Sequence, residues 1–301
     1  MFENFTKAQI ETTETVINLV YGGSGSPLLL LHGYPQTHVM WHKVAPILAE
    51  RYTVVAPDLR GYGDSGKPVV GDDPERYSKR RTAQDQLEVM TELGHQSFHV
   101  AGHDRGARVG HRLALDAPER VRSFATLDVA PSQAAFEAMD SSLAFAWFHW
   151  HLMRQPEPFP ETLIGRDAKF YLDFLLDRWT AVEGAITERA YGEYLRCFSN
   201  PETIRASCAD YRAIDVDLAH DEVDRGRKLA CPVLALWGRN MTKRPGWQTG
   251  GRLDMLQVWR DRAEDVRGRS IDCGHFLAEE APEETAAEIL KFLQGCPAEE
   301  D

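Results

Sequence analysis

The sequence has no block of lysines and arginines, so it lacks the usual electrostatic signature of nucleic-acid binding. Its 301 residues contain 34 Lys and Arg against 46 Asp and Glu, which gives a formal net charge of −12. Nucleic acids and anionic membrane surfaces attract basic patches, and we therefore expect neither as a partner. An anionic small molecule would have to be drawn in by local cations, against the field of the whole chain.

Long apolar segments and cysteine pairs are also missing. No apolar run approaches the ~18 residues that a membrane-spanning helix needs. The first residues lack the basic flank and apolar stretch of a signal peptide. The five cysteines are widely spaced, without a C-x-x-C pair, so neither a disulfide framework nor a zinc site is indicated. We expect a cytoplasmic protein with no metal or other cofactor.

The chain does contain a regular alternation of short apolar runs with helical patterns. Its length allows one large domain with an insertion. Alternating strands and helices predict a mostly parallel sheet with helices on both faces. The predicted strands span residues 15–20, 27–32, 52–57, 98–101, 121–127, 233–237 and 266–272, and predicted core helices include 82–93 and 283–293.

Residues 131–214 have few strand-like runs. Helical patterns cover 136–153, 167–179 and 188–198, and a proline-rich link lies at 155–160. We predict that 131–214 form a helical lid, inserted into a core made of residues 1–130 and 215–301. The tail, 297–301, is predicted to be disordered.

The sequence G-H-D-R-G at residues 102–106 stands between an apolar run and an amphipathic segment. Strand, sharp turn and helix form the context of the nucleophile elbow of α/β-hydrolases, whose glycines let the strand and the helix come close. The central residue is usually serine, and here it is Asp104. An ordinary turn, in which Asp104 only caps the helix, is the alternative.

Two further residues follow in the order that a catalytic triad requires. Asp128 follows the next predicted strand, and His275 follows the last one, where hydrolases of this fold carry their histidine. Many such proteins carry the acid near residues 237–243, but this segment has no carboxylate. We therefore assign the acid to Asp128. A turn cap at Asp128 and a core histidine at His275 are the alternatives.

An aspartate nucleophile changes the chemistry. An ionised carboxylate attacks a saturated carbon that bears a leaving group, and an ester forms. His275, oriented by Asp128, would then activate the water that hydrolyses this ester. The predicted oxyanion hole consists of two backbone N–H groups, those of Tyr34 in the H-G-x-P loop and of Arg105. The alternative for residues 32–35 is a plain loop without a catalytic role. Carbon–halogen cleavage and epoxide opening are the candidate reactions.

Several motifs together resemble the haloacetate dehalogenase family of the α/β-hydrolase superfamily. In chain order they are HGYPQTHVMWH at 32–42, DLRGYG at 58–63, GHDRGAR at 102–108, Leu127-Asp128, His149-Trp150, CADYR at 208–212 and GHF at 274–276. Epoxide hydrolases share H-G-x-P and G-x-D-x-G, so D-R-G-x-R and the His-Trp pair discriminate between the two families. The resemblance covers nearly the whole chain. The sequence departs from the family pattern at residues 214–220 and 239–247.

This resemblance implies the α/β-hydrolase fold, with a helical lid, and the hydrolysis of a haloacetate such as fluoroacetate or chloroacetate. The products would be glycolate and halide, formed through an aspartyl ester. Asp104 would be the nucleophile, His275 the base and Asp128 its orienting acid. No cofactor is implied.

The resemblance also implies two groups of binding residues. Arg105 and Arg108 would hold the substrate carboxylate, since they share one face at the positive end of a helix and guanidinium groups match carboxylates. The alternative for Arg105 and Arg108 is that they form, with Arg112, a solvent-exposed face of the helix. The halide would be held by three donors without negative charge, those of His149, Trp150 and Tyr211. Packing in a helix core is the alternative for His149 and Trp150.

An epoxide hydrolase with the same nucleophile is the nearest competing function, and a non-catalytic binding protein is the third. Epoxide opening usually involves paired lid tyrosines, whereas Tyr211 here accompanies a His-Trp pair. Two arginines beside Asp104 would be odd for a neutral epoxide, and a binding protein has no need of His275. The expected partner is a small anionic haloacid, and the sequence leaves monomer and homodimer both open.

Overall fold

In the computed structural model, which describes residues 1–240 and 253–296, an eight-stranded sheet forms the centre. The strands are β1 (Thr6–Glu11), β2 (Val16–Gly22), β3 (Pro27–Leu31), β4 (Thr53–Pro57), β5 (Phe98–His103), β6 (Val121–Leu127), β7 (Val233–Gly238) and β8 (Val266–Ile271). They lie in the order β1-β2-β4-β3-β5-β6-β7-β8. The pairs β1–β2 and β2–β4 are antiparallel and the others parallel. The predicted mostly parallel sheet is confirmed, although β1 was not predicted.

Helices cover the sheet and fill the long connection between β6 and β7. A 3₁₀ turn (His38–Trp41), α1 (Ala45–Leu48), α2 (Lys79–Glu92) and α3 (Arg105–Asp116) precede that connection. Within it lie α4 (Ser132–Glu137), α5 (Ser141–Ala146), α6 (Phe148–Met153), α7 (Phe159–Arg166), α8 (Ala168–Trp179), α9 (Glu188–Phe198), α10 (Pro201–Arg212) and α11 (Ile214–Val223). The last helices are α12 (Met255–Arg260), α13 (Leu277–Glu280) and α14 (Pro282–Gln294). Among the described residues, no helix has both the length and the apolar character to cross a membrane.

The helical insert differs in detail from the prediction. The single stretch predicted at 136–153 is wrong, because three short helices occupy it. The Asp140 carboxylate accepts hydrogen bonds from the first N–H groups of α5, and Trp147 leaves the helical conformation between α5 and α6. Helices also continue beyond residue 214 to Val223, and the division into core and lid stays a prediction. The predicted tail 297–301 and most of the segment 239–247 lie outside the described residues.

The junction between β5 and α3 fixes the position of Asp104. All of β5 is buried, as expected for a central strand between two parallel neighbours, although it includes His99 and His103. A Cβ atom on Gly106 would collide with the backbone carbonyls of Leu31 and His32, so α3 lies directly against the end of β3. Because β5 and β6 are parallel neighbours, their carboxyl ends bring Asp104 and Asp128 to one edge of the sheet.

This close approach gives a stability prediction. We expect Gly106→Ala to lower the free energy of unfolding by roughly 2–3 kcal/mol, because the added methyl group forces α3 away from β3. Gly192→Ala in α9 is the matched control, since nothing lies within 4 Å of its added Cβ. It should raise stability by about 0.5–1 kcal/mol through helix propensity. Urea unfolding of both variants checks the contrast, and equal effects would contradict it.

Candidate active site

Asp104 occupies the sharp turn between β5 and α3, partly exposed to an internal cavity. Its φ of 46° lies in the left-handed region, which is strained for a residue other than glycine. The Tyr34 N–H donates a hydrogen bond to Asp104 Oδ1 over 3.0 Å. Arg105 is the first residue of α3, so its N–H belongs to the free donors of a helix N-terminus. The two backbone groups predicted for the oxyanion hole thus belong to segments that meet at the Asp104 turn.

Asp104 is ionised at neutral pH. Burial works to raise the pKa of its carboxyl group, but the charges of His275, Arg105 and Arg108 outweigh this effect and lower the pKa to about 2. An ionised carboxylate needs no base to make it nucleophilic.

His275 and Asp128 form a buried pair beside Asp104. His275 Nδ1 lies 2.6 Å from Asp128 Oδ2, and the Gly238 N–H donates to Asp128 Oδ1 over 2.9 Å. The bond to Asp128 places the proton on Nδ1 and leaves Nε2 as the basic nitrogen. Burial favours a lower pKa for His275, yet its hydrogen bond to Asp128 and the charges of Asp128 and Asp104 raise the pKa above the ordinary value.

The three arginines of α3 are buried, with Arg105, Arg108 and Arg112 exposed by 1%, 5% and 3%. The alternative of a solvated helix face is therefore wrong. Arg105 is fixed by α10: its Nε and Nη2 donate to the Asp210 carboxylate over 2.7 and 2.8 Å, and its guanidinium packs on the Tyr211 ring at 4.3 Å. Only Nη1 of this guanidinium has no hydrogen-bond partner. Arg105 is not among the described residues that line the cavity.

Arg108 does line the cavity, and its environment differs. Its Nη1 donates to Ser132 Oγ over 2.9 Å, its guanidinium lies 4.6 Å from the Trp150 ring, and its Nε has no partner. Within the described residues, no carboxylate forms an ion pair with it. Burial, together with the charge of Arg105, lowers the pKa of Arg108 to about 10. Arg108 is therefore a buried cation, protonated at neutral pH and without a counter-ion in contact.

The three predicted halide donors lie together where α6 and α10 line the cavity. His149, Trp150 and Tyr211 all line it, and their rings are within 6.5 Å of one another. His149 Nδ1 and the Tyr211 hydroxyl are buried without a hydrogen-bond partner. Burial lowers the pKa of His149 to about 3, so its imidazole is neutral. Buried polar groups without partners are costly, and an anion that accepts their hydrogen bonds would offset that cost.

The cavity has a volume of about 120 Å³, somewhat less than the roughly 150 Å³ that holds one benzene molecule. Its wall includes residues that the sequence analysis did not assign: Leu143, Trp147, Trp179, Trp237, Leu253 and Met255. Trp179, at the end of α8, lies with its ring 4.8 Å from His149 and 5.6 Å from His275. No local pattern marks this tryptophan in the sequence. Asp210 was also missed, although it stands inside the CADYR motif next to Tyr211.

The fold, the strained aspartate and the paired histidine define a hydrolase of the α/β-hydrolase class. A family model described as alpha/beta hydrolase fold matches residues 26–282. The chain therefore belongs to the α/β-hydrolase family. Its 43% identity to a fluoroacetate dehalogenase over nearly the full length places it among the dehalogenase-like members, as the motifs predicted.

Three relatives illustrate this membership. Fluoroacetate dehalogenase of Burkholderia sp. is 43% identical over 298 residues, which cover 97% of this chain and 95% of that protein. Soluble epoxide hydrolase of Corynebacterium sp. (strain C12) is 33% identical over 281 residues, covering 92% and 93%. The crystal structure of ALR0039, a candidate α/β hydrolase of Nostoc sp. PCC 7120, superposes with a TM-score of 0.94 at 54% identity and covers 98% and 100%.

The Arg105–Asp210 contact yields a second stability prediction. Asp210 also accepts from Lys79 Nζ over 2.5 Å and from the Tyr62 hydroxyl over 2.8 Å. Asp210→Asn should destabilise the fold by about 3–5 kcal/mol, because it leaves buried cations without their counter-charge. Asp215→Asn, which removes the exposed partner of Arg154, should cost less than about 1 kcal/mol. Urea unfolding measures both, and a small loss for Asp210→Asn would contradict the assignment.

Proposed function

We propose that the protein hydrolyses a haloacetate, such as fluoroacetate or chloroacetate, to glycolate and halide. One observation carries this proposal: ionised Asp104 and the unpaired cation Arg108 border the same small cavity. A substrate that interacts with both groups must have an electrophilic carbon for Asp104 and, close to it, a negative charge for Arg108. Arg108 would offset the repulsion between such an anion and Asp104.

In the first step, an Asp104 oxygen attacks the carbon that bears the halogen. A carbon–oxygen bond forms, the carbon–halogen bond breaks, and the halide leaves with the electron pair. The neutral donors on His149, Trp150 and Tyr211 would receive it. Because fluoride is a poor leaving group, hydrogen bonds that strengthen as its charge develops are the interactions that accelerate this step.

In the second step, the ester is hydrolysed. The loss of the Asp104 charge in the first step prepares His275 for this second step. The negative charge of Asp104 is one of the causes that raise the pKa of His275. Esterification removes this charge, so the pKa of His275 falls and the imidazole becomes a base when one is needed. Nε2 would take a proton from the attacking water, while the N–H groups of Tyr34 and Arg105 stabilise the oxyanion. Glycolate leaves, and Asp104 is regenerated with an oxygen from water.

Epoxide hydrolysis is the second candidate, supported by the 33% identity to a soluble epoxide hydrolase. An epoxide opens to an alkoxide, for which paired tyrosine hydroxyls are the usual donors. Tyr211 is the single tyrosine among the described residues that line the cavity. A neutral epoxide would also leave Arg108 without an anionic partner. Both features favour the haloacid.

Substrate profiling tests the proposal directly. Purified enzyme incubated with fluoroacetate, chloroacetate and styrene oxide should release halide from the acids and little diol from the epoxide. Asp104→Asn should lower the rate of halide release on the order of 10⁴-fold or more, since it removes the nucleophile. Asp215→Asn, on the protein surface, should leave this rate unchanged. In a single turnover in heavy-oxygen water, the label should enter Asp104 and the glycolate should carry none, because its new oxygen comes from Asp104.

Diol from styrene oxide without halide from either acid would reverse the order of the two candidates.

The pH dependence gives an independent test. Ester hydrolysis requires neutral His275, so kcat should fall as the pH drops through the pKa of His275 in the ester. Carbon–halogen cleavage comes first and needs only ionised Asp104, whose pKa is about 2. We therefore expect kcat/KM to stay nearly constant from about pH 9 to about pH 5 while kcat declines. Parallel decline of both parameters would mean that His275 is also needed for the attack.

A further inference from the structure

Glu280, the last residue of α13, is buried and accepts hydrogen bonds from four backbone N–H groups. Two donors flank His275: Gly274 N–H and Phe276 N–H, each at 2.9 Å. The other two, Ala181 N–H at 2.7 Å and Val182 N–H at 2.9 Å, belong to the segment that follows α8. One carboxylate thus joins the loop that carries His275 to the end of a helix in the insert.

The same two segments also contact each other directly. The His275 N–H donates to the Trp179 carbonyl over 2.9 Å. A Cβ atom on Gly274 would come within 2.6 Å of that carbonyl oxygen and within 2.7 Å of the Ala181 nitrogen, so only glycine allows this approach. On the opposite side, His103 Nε2 lies 2.8 Å from the His275 carbonyl oxygen. The backbone on both sides of the imidazole is therefore fixed by named partners.

The hydrogen-bond partners of Glu280 are unusual for a buried carboxylate. Within the described residues, no Lys, Arg or His forms an ion pair with it, and its two oxygens are occupied by rigid backbone donors. Hydrogen bonds to an ionised acceptor are about twice as strong as neutral ones, which offsets the cost of removing the carboxylate from water. All four of these hydrogen bonds come from two segments of backbone. One segment carries His275 and the other directly follows Trp179, and both of these side chains line the cavity.

We propose that Glu280 is a positioning residue, which joins the His275 loop to the end of α8 and thereby holds the base in place. The proposal rests on the proposed function for the step that His275 performs, the hydrolysis of the aspartyl ester. Glu280 touches neither the nucleophile nor the halide donors. Its loss therefore affects ester hydrolysis and spares carbon–halogen cleavage.

The neighbouring residue provides a matched control. Glu279 is also buried and stands on the same short helix, but its carboxylate accepts from the Tyr194 hydroxyl over 2.5 Å and lies 3.7 Å from Lys43 Nζ. No hydrogen bond of its side chain reaches the residues 274–276 or 179–182. An effect that follows from altering any buried carboxylate on α13 should therefore appear when either Glu279 or Glu280 is substituted.

The decisive experiment compares Glu280→Gln with Glu279→Gln in single-turnover reactions with chloroacetate. In Glu280→Gln, the halide should be released at the wild-type rate, while ester hydrolysis slows by about 100-fold, as a misplacement of the base by an ångström would cause. Mass spectrometry should then detect the ester accumulating on Asp104. Glu279→Gln should hydrolyse the ester at the wild-type rate.

A second readout needs no turnover. The His275 Nδ1 proton, bonded to Asp128, should give a far-downfield proton resonance in the wild type and in Glu279→Gln, and should shift or broaden in Glu280→Gln. If wild-type enzyme releases no halide, the proposed function fails, while this resonance still tests the role of Glu280.

Three results would overturn the proposal: equal slowing of both steps in Glu280→Gln, an unchanged rate of ester hydrolysis in the folded variant, or the same defect in Glu279→Gln. If Glu280→Gln does not fold, Glu280→Asp replaces it. This variant keeps the charge but shortens the reach by one methylene group, and it should slow only ester hydrolysis, by a smaller factor.

Discussion

In the proposed reaction, Asp104 has to remain ionised although it is buried, and several surrounding side chains favour its ionised form. Burial opposes ionisation, and the charges of His275, Arg105 and Arg108 reverse its effect. None of these three side chains forms a hydrogen bond with the carboxylate among the described contacts, where Tyr34 N–H is the donor. These charges therefore stabilise the carboxylate without a hydrogen bond to it, and in the proposed reaction they leave oxygen lone pairs free for the attack.

Carboxylates from the helical insert pair with several cations of α2 and α3. Arg105 and Arg112, seven residues apart on α3, pair with Asp210 and Asp224, while Lys79 of α2 lies between Asp210 and Asp217. Seven residues are about two helical turns, so Arg105 and Arg112 lie on the same side of α3. Their partners come from α10, which carries Asp210, and from the C-cap of α11, Asp224. Arg108 stands between the two paired arginines without a carboxylate of its own. A chain with a net charge of −12 thereby presents a positive group to its cavity.

The sequence predicts those features whose cause is local. The parallel strands are short apolar runs between turn residues, and the elbow is identified by two glycines. The missing side chain of Gly102 allows β5 to approach α3, and that of Gly106 allows α3 to approach β3. The break at Trp147 between α5 and α6 was missed because the aromatic pattern of 136–153 is compatible with one continuous helix. Asp210 and Glu280 were missed for another reason. Nothing in the sequence distinguishes Glu280 from Glu279 beside it, since its role depends on segments about 100 residues away.

Replacing the usual serine by an aspartate shifts the need for a base from the first chemical step to the second. A serine requires its histidine during the attack, whereas Asp104 is already ionised. In the proposed reaction, Arg108 and the donors of α6 and α10 act early, and His275 with its supports acts late. Trp179 lies between the two groups, in contact with both His149 and His275. Because Glu280 and the Trp179 carbonyl hold the base to the same segment, the wall that confines the substrate also positions the group that completes its turnover.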